Sequence, residues 1–149
     1  MKFSTKGRYG LRAMVDLAVN AKGEHVALCS IAERQGISTN YLEQVFSILR
    51  KSGLVKSVKG AQGGYILAEP PSDIKVGRIL RALEGPLSVI DEKTENSNGS
   101  ETGIEHCIKL CVWDKMNQAL NDLADSVTLE DLVDNYRKLV GIDETMYYI

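Results

Sequence analysis

The chain has 149 residues, 44% of them hydrophobic and 26% charged, enough for one compact domain with an extension and too few for two large ones. That balance excludes the disordered and fibrous classes. No apolar run approaches the roughly 18 residues of a membrane span, and Met1, Lys2, Phe3 and Ser4 do not open a signal peptide, so a cytoplasmic protein without membrane contact is expected.

The net charge of −2 is unevenly spread. Residues 1–68 carry ten bases (Lys2, Lys6, Arg8, Arg12, Lys22, Arg34, Arg50, Lys51, Lys56, Lys59) against four acids (Asp16, Glu24, Glu33, Glu43), a net +6. The rest holds eight bases and sixteen acids, a net −8. Such asymmetry points to one half that meets a polyanion and another with a different task, although solubility alone can also produce it. The three cysteines, Cys29, Cys107 and Cys111, are an odd number and argue against a disulfide framework.

In chain order, Tyr9, Leu11, Ala13, Met14, Leu17, Ala18 and Ala21 recur at helical spacing and predict a helix over 6–22, with Ser4 and Thr5 as caps and Gly23 as its stop. A short second helix over 28–35 turns Ile31 and Ala32 inward and ends at Gly36. After a turn over 37–40, a third helix over 41–52 buries Tyr41, Leu42, Val45, Phe46 and Leu49 and ends at Gly53. Two short helices around a glycine-containing turn form a helix-turn-helix pattern. Residues 54–58 then read as a strand, 59–64 as a glycine-rich turn and 65–68 as a returning strand, the wing of a winged helix.

Pro70 and Pro71 break the chain, and a further helix over 76–83 stops at Gly85 and Pro86. Residues 91–103 are polar and read as a mobile loop. A long helix over 104–126 carries Ile104, Ile108, Val112, Met116, Leu120, Leu123 and Val127 along one face. That face covers either the chain's own core or a second copy. The second reading is preferred because a small winged helix already uses most of its apolar area internally. Thr128 and Asp131 form a capping-box pattern before a helix over 129–139, and the tail after it shows no helical periodicity. The expected fold is mainly α with a small β-hairpin wing. A winged helix-turn-helix DNA-binding domain spans 1–85, a flexible loop 86–103, the dimerisation helix and its successor 104–140, and a C-terminal tail 141–149.

A helix entering the major groove needs short polar side chains at its N-terminal end and cations beside it for phosphates. Ser38, Thr39, Asn40, Glu43 and Gln44 meet the first need, and Tyr41 beside them is an expected DNA contact as well. Asn and Gln pair with adenine and Glu accepts from the cytosine amino group. Arg50, Lys51, Lys56 and Lys59, with Lys2, Lys6 and Arg8 at the other end, meet the second and predict steep salt dependence. Lys59 beside Gly60, Gly63 and Gly64 suits a minor groove, where small residues let the backbone approach while one long cation enters. Tyr9, Tyr41 and Tyr65 read as packing or phosphate-capping residues. An enzyme is not expected: there is no Ser-His-Asp set, no phosphate-cradling loop and no paired metal-ligand motif, and two histidines leave little general-base capacity.

The opening ten residues, the runs Ser38-x-x-Tyr41-Leu42-Glu43-Gln44, Leu49-Arg50-Lys51-x-Gly53-Leu54-Val55 and Gly60-x-x-Gly63-Gly64-Tyr65, and the segments around Ile79–Gly85 and Thr128–Leu132 closely resemble the Rrf-two family of bacterial winged-helix regulators, over nearly the whole chain. The resemblance implies a homodimer built on the long helix that reads a palindromic double-stranded operator and represses. Some members hold an iron-sulfur cluster through three cysteines in the loop before that helix. Here residues 85–106 contain no cysteine, and only Cys107 falls near a family ligand position. Cys107, Cys111 and His106, with Glu105 or Cys29, are the candidate ligands of a metal or iron-sulfur cluster, but the plain reading makes the two helical cysteines small residues on a packed face, so no cofactor is expected; redox-sensitive thiols are a further alternative. The resemblance is stronger to members that repress cysteine metabolism, which lack the cluster cysteines and end in a similar tail. Met146, Tyr147, Tyr148 and Ile149 then read as a segment captured by cysteine synthase, or as one that folds back on the dimer. A redox- or cluster-sensing regulator of iron-sulfur assembly is the alternative.

Overall fold

The computed structural model describes residues 2–61, 63–91 and 103–147, with side chains as far as Gly141. Helix α1 (Thr5–Asn20) stops where Lys22 and Gly23 take φ of 27° and 80°, backbone that glycine adopts without cost. Helix α2 (Leu28–Gln35) ends on Gly36 in the left-handed region, its N–H donating to the carbonyl of Ala32. Helix α3 (Thr39–Lys51) begins two residues earlier than its apolar pattern suggests, because Ser38 takes the cap position. Strands β1 (Val55–Val58) and β2 (Gly64–Leu67) pair antiparallel, Val55 opposite Leu67 and Val58 opposite Gly64.

One core joins these elements. Ala13, Met14 and Leu17 of α1, Ile31 of α2, Leu42, Val45, Phe46 and Leu49 of α3, and Leu54 and Val55 of the wing meet Ile79 and Leu83 of α4 (Val76–Glu84). Each large side chain buried there contributes about 1.5–3 kcal/mol. The hairpin is fixed to the body by a third segment: the Val26 and Tyr65 backbones exchange two hydrogen bonds of 2.9 Å, and the Tyr65 ring rests 4.8 Å from that of Phe46.

The long helix is present but not uniform. It runs as α5 (Ile104–Ile108), a π-helical segment (Lys109–Trp113) and α6 (Asp114–Ser126), with helical dihedrals at both junctions. Within it the Asp114 N–H donates to the carbonyl of Lys109, five residues back, the signature of one residue inserted into an α-helix. Its inner side is tied to the body by polar groups. Arg81 of α4 grips Asp125 at 2.8 Å and Asn121 at 2.7 Å. Asn117 accepts from the Val89 N–H at 2.7 Å, and Asn121 donates to the Leu87 carbonyl at 3.0 Å.

Helix α7 (Leu129–Tyr147) follows a turn stitched to the start of α4, with Val76 N–H donating to Val127 and Leu129 N–H to Ile74. Leu129 is fully buried in the common core. Here the structure corrects the expectation of a helix ending at Leu139 before an irregular tail: α7 continues to Tyr147. Gly141 does not break it, because a helical glycine costs only about 1 kcal/mol and no proline follows. Met146 and Tyr147 are therefore helical in backbone, while Tyr148, Ile149 and most of the expected mobile loop, 92–102, lie outside the described residues.

Candidate nucleic-acid interface

The Ser38 hydroxyl accepts from the Tyr41 N–H at 3.1 Å, which starts α3 and leaves its first turn facing outward. Periodicity then divides the helix. Leu42, Val45, Phe46 and Leu49 fall on the buried side, whereas Asn40, Glu43 and Gln44 are exposed and, with Ser47, border one shallow, open polar depression. Asn40 to Ser47 spans seven helical steps, about 10 Å, so these side chains can address roughly three base pairs at 3.4 Å each. Arg50 and Lys51 extend the same stripe by one more turn and are exposed.

Tyr41 points elsewhere. Its hydroxyl lies 3.2 Å from Thr5 Oγ1, and its ring meets Tyr9 edge-on at 6.1 Å. Arg8 and Arg12 lie 5.8 and 5.2 Å from the centroid of the Tyr9 ring, within cation–π range. The Arg12 guanidinium also donates to the Gln35 carbonyl at 2.6 Å, joining α1 to the end of α2. The start of α1 is thus docked beside the start of α3, with Lys6 and Arg8 exposed next to it. A carboxylate from α4 sets that position. Glu84 accepts from the Ser4 N–H at 2.9 Å, the Gly7 N–H at 3.1 Å and the Ser4 hydroxyl, a negative group at the positive end of the α1 dipole. A Cβ on Gly7 would overlap Glu84.

On the wing, Lys56 and Lys59 are exposed, and Gly60 at the tip has φ of 132° with open space around it. Gly63 and Gly64 answer to internal contacts: a Cβ on Gly63 would meet the Val58 carbonyl, and one on Gly64 the backbone of Val26. Lys2 borders an apolar depression with Phe3, Arg8, Leu11 and Leu80. One cation of the basic half is spent internally. Arg34 makes a bidentate pair with Asp16, 2.7 and 3.0 Å, while Gln35 at 2.9 Å and Asn20 at 3.3 Å supply further donors. The hydrogen bond to Asp16 raises the Arg34 pKa above its ordinary value. Sequence reading missed this network, Glu84 and Ser47. Only Ser47 had a legible signal, its i+3 spacing from Gln44.

The expected dimerisation residues face solvent in the single chain. Ile104 is 80% and Leu123 65% exposed; Ile108, Val112 and Met116 are also exposed, and Leu120 is half-buried. Leu110, Tyr136 and Leu139 add exposed apolar surface that the pattern did not flag. Cys29, Cys107 and Cys111 are all exposed. Among the described residues no three His, Cys, Asp or Glu side chains gather as a metal site, so Cys107, Cys111 and His106 do not assemble the four ligands a cluster normally requires. No helix of the described residues is long and apolar enough to cross a membrane.

The profile of the Rrf2 family, described as an iron-dependent transcriptional regulator, matches residues 3–135. The HTH-type transcriptional regulator IscR of Erwinia tasmaniensis is 41% identical over 143 residues, 96% of this chain and 85% of its own length. Among solved structures, CymR, the global cysteine regulator of B. subtilis, superposes with a TM-score of 0.76 at 41% identity, covering 91% of this chain and 98% of that one. IscR of T. potens superposes at 0.71 with 47% identity, covering 91% and 88%. The helix-turn-helix, its hairpin and these likenesses agree: the chain belongs to the Rrf2 (Rrf-two) family of winged-helix DNA-binding transcription regulators.

Proposed function

We propose that this regulator is a cytoplasmic homodimeric repressor that reads a palindromic double-stranded operator and controls genes of cysteine and sulfur metabolism. The division of α3 carries the DNA reading: one side is core, and the other offers Asn40, Glu43 and Gln44 to base edges with Arg50 and Lys51 following. Lys56 and Lys59 of the wing, and Lys6 and Arg8 beside Tyr41, meet phosphates on either side. The exposed apolar face from Ile104 to Leu123 pairs two copies, and a palindromic operator read by such a pair has half-sites about one turn of the duplex apart. The cysteine assignment draws on the likeness to the B. subtilis cysteine regulator.

Binding competition with randomised duplexes tests the interface. Glu43→Ala and Gln44→Ala relax sequence preference, each by about 1–3 kcal/mol of discrimination, whereas Lys59→Ala weakens all duplexes more evenly and lowers the salt slope by about one. Unchanged operator affinity in all three variants would overturn the assignment.

Modulation comes from cysteine synthase, which captures the segment Met146 to Ile149 by its apolar side chains. Co-purification tests this arm alone: removing Ile149 abolishes capture and leaves operator binding intact. Undiminished capture by the shortened chain removes the tail from the proposal.

A further inference from the structure

Glu84 is an acid at the unfavourable end of its own helix. It is the last residue of α4, which Gly85 terminates with φ of 83°, and the negative pole of a helix dipole disfavours a carboxylate there. Its compensation comes from the opposite pole of α1, where the Ser4 and Gly7 N–H groups at 2.9 and 3.1 Å and the Ser4 hydroxyl all donate to one oxygen, Glu84 Oε1. Two glycines permit the approach. A Cβ on Gly7 would overlap the Glu84 carboxylate, and one on Gly10, three residues on, would overlap Leu83. Residues 7–10 and 83–85 therefore form one joint between α1 and α4. What the joint holds is positive charge beside the recognition helix. The Thr5 hydroxyl lies 3.2 Å from that of Tyr41 on α3, and Lys6 and Arg8, on either side of Gly7, are exposed. A first turn of α1 left free to move would spread these cations over many positions, and fixing them on phosphates would then cost ordering entropy at each binding event.

We infer that Glu84 is a positioning residue for the phosphate grip of Lys6 and Arg8, acting through the first turn of α1 and not on the nucleic acid. The inference rests on the reading of this face as a duplex interface. The sign of the effect separates it from a bystander role. Removing a carboxylate leaves the protein with one negative charge fewer, which by itself tightens binding to a polyanion. Loss of a positioning residue weakens it.

The test measures binding of the full-length protein to a duplex that wild type selects from a randomised pool, and to an unselected duplex of equal length. Both are titrated across a salt series at a temperature where circular dichroism shows each variant fully folded. Glu84→Ala weakens both duplexes about tenfold at about 0.1 M salt and lowers the salt slope by about one, with the ratio of the two affinities unchanged. Glu84→Gln, which keeps an acceptor oxygen, restores binding to near the wild-type level. Gly7→Ala raises helix propensity but displaces the carboxylate, so it weakens binding as Glu84→Ala does and adds nothing to it in the double variant. Should Glu84→Ala fail to fold, Gly7→Ala decides by the same affinities and slope. A folded Glu84→Ala protein that binds as well as wild type or more tightly, or impairments that add in the double variant, would overturn the inference; Lys6→Ala and Arg8→Ala variants with lowered slopes then leave the duplex reading of this face standing. A slope unmoved by either of those two substitutions removes the phosphate grip itself, and the inference with it.

Discussion

Asp16 is 5% exposed on α1, an acid placed where the helix needs an apolar face, and it is sustained by donors from two helices. Arg34 supplies two of them and keeps its own side chain 40% exposed, so removing the carboxylate leaves a cation that water can still reach. Asp16→Ala therefore costs the charged hydrogen bonds, about 1.5–3 kcal/mol, and not the larger penalty of a sealed charge. Urea unfolding measures it; a loss below about 0.5 kcal/mol, the scale of an ordinary surface change, would show the network to be incidental. The residues of α3 were far easier to read. Leu42, Val45, Phe46 and Leu49 mark the core by spacing alone, which leaves Asn40, Glu43 and Gln44 to the other side. Asp16 and Arg34 stand 18 positions apart on different helices, and no periodicity announces such a pair.

Among the elements, α7 shows a local rule that holds and a stop that does not. Thr128 N–H donates to Asp131 at 2.9 Å and Asp131 N–H to the Thr128 hydroxyl at 3.0 Å, the reciprocal cap that the sequence pattern signalled. The Thr128 backbone N–H, then its hydroxyl, hold the Asp131 carboxyl below its ordinary pKa. Its folded value is thus below its unfolded value, so its contribution is present above the ordinary carboxylate range and is lost as pH falls through the lowered folded value. Melting temperatures taken stepwise below about pH 5 should fall less steeply for Asp131→Asn, which keeps an acceptor oxygen but cannot titrate. An acid limb identical to wild type would remove Asp131 from the pH dependence. The wing makes the complementary point. Its glycines were legible as a turn, but Gly64 is there because the Val26 backbone packs against it, a contact between segments far apart in the chain.

For the whole molecule the consequential surface is the apolar face of α5 and α6. A single chain leaves Ile104, Ile108, Val112, Met116 and Leu123 in water, while Arg81, Asn117 and Asn121 hold the opposite side to the body. Ile108→Glu buries a charge in any interface built on that face, at a cost of several kcal/mol if two copies pair through it. Sedimentation should show the variant monomeric with its helical content retained, and operator affinity should drop because the two half-sites are no longer tethered. A variant that sediments like wild type would place the contact between copies elsewhere, with Leu110 and, on α7, Tyr136 and Leu139 the further exposed large apolar residues among those described.

Hydrophobic period, glycine and capping chemistry act over a few residues, so the order of helices, the hairpin and the polar side of α3 were all determined by the sequence alone. The charge asymmetry was equally plain, although it did not reveal that Arg34 is consumed by Asp16. Tertiary structure decided what depends on contact between distant segments: Glu84 capping α1, Val26 completing the wing, and α6 docking on α4 through Arg81 while its apolar face stays open. The run of α7 past Gly141 belongs with the local terms, because a helical glycine is a modest cost and not a barrier.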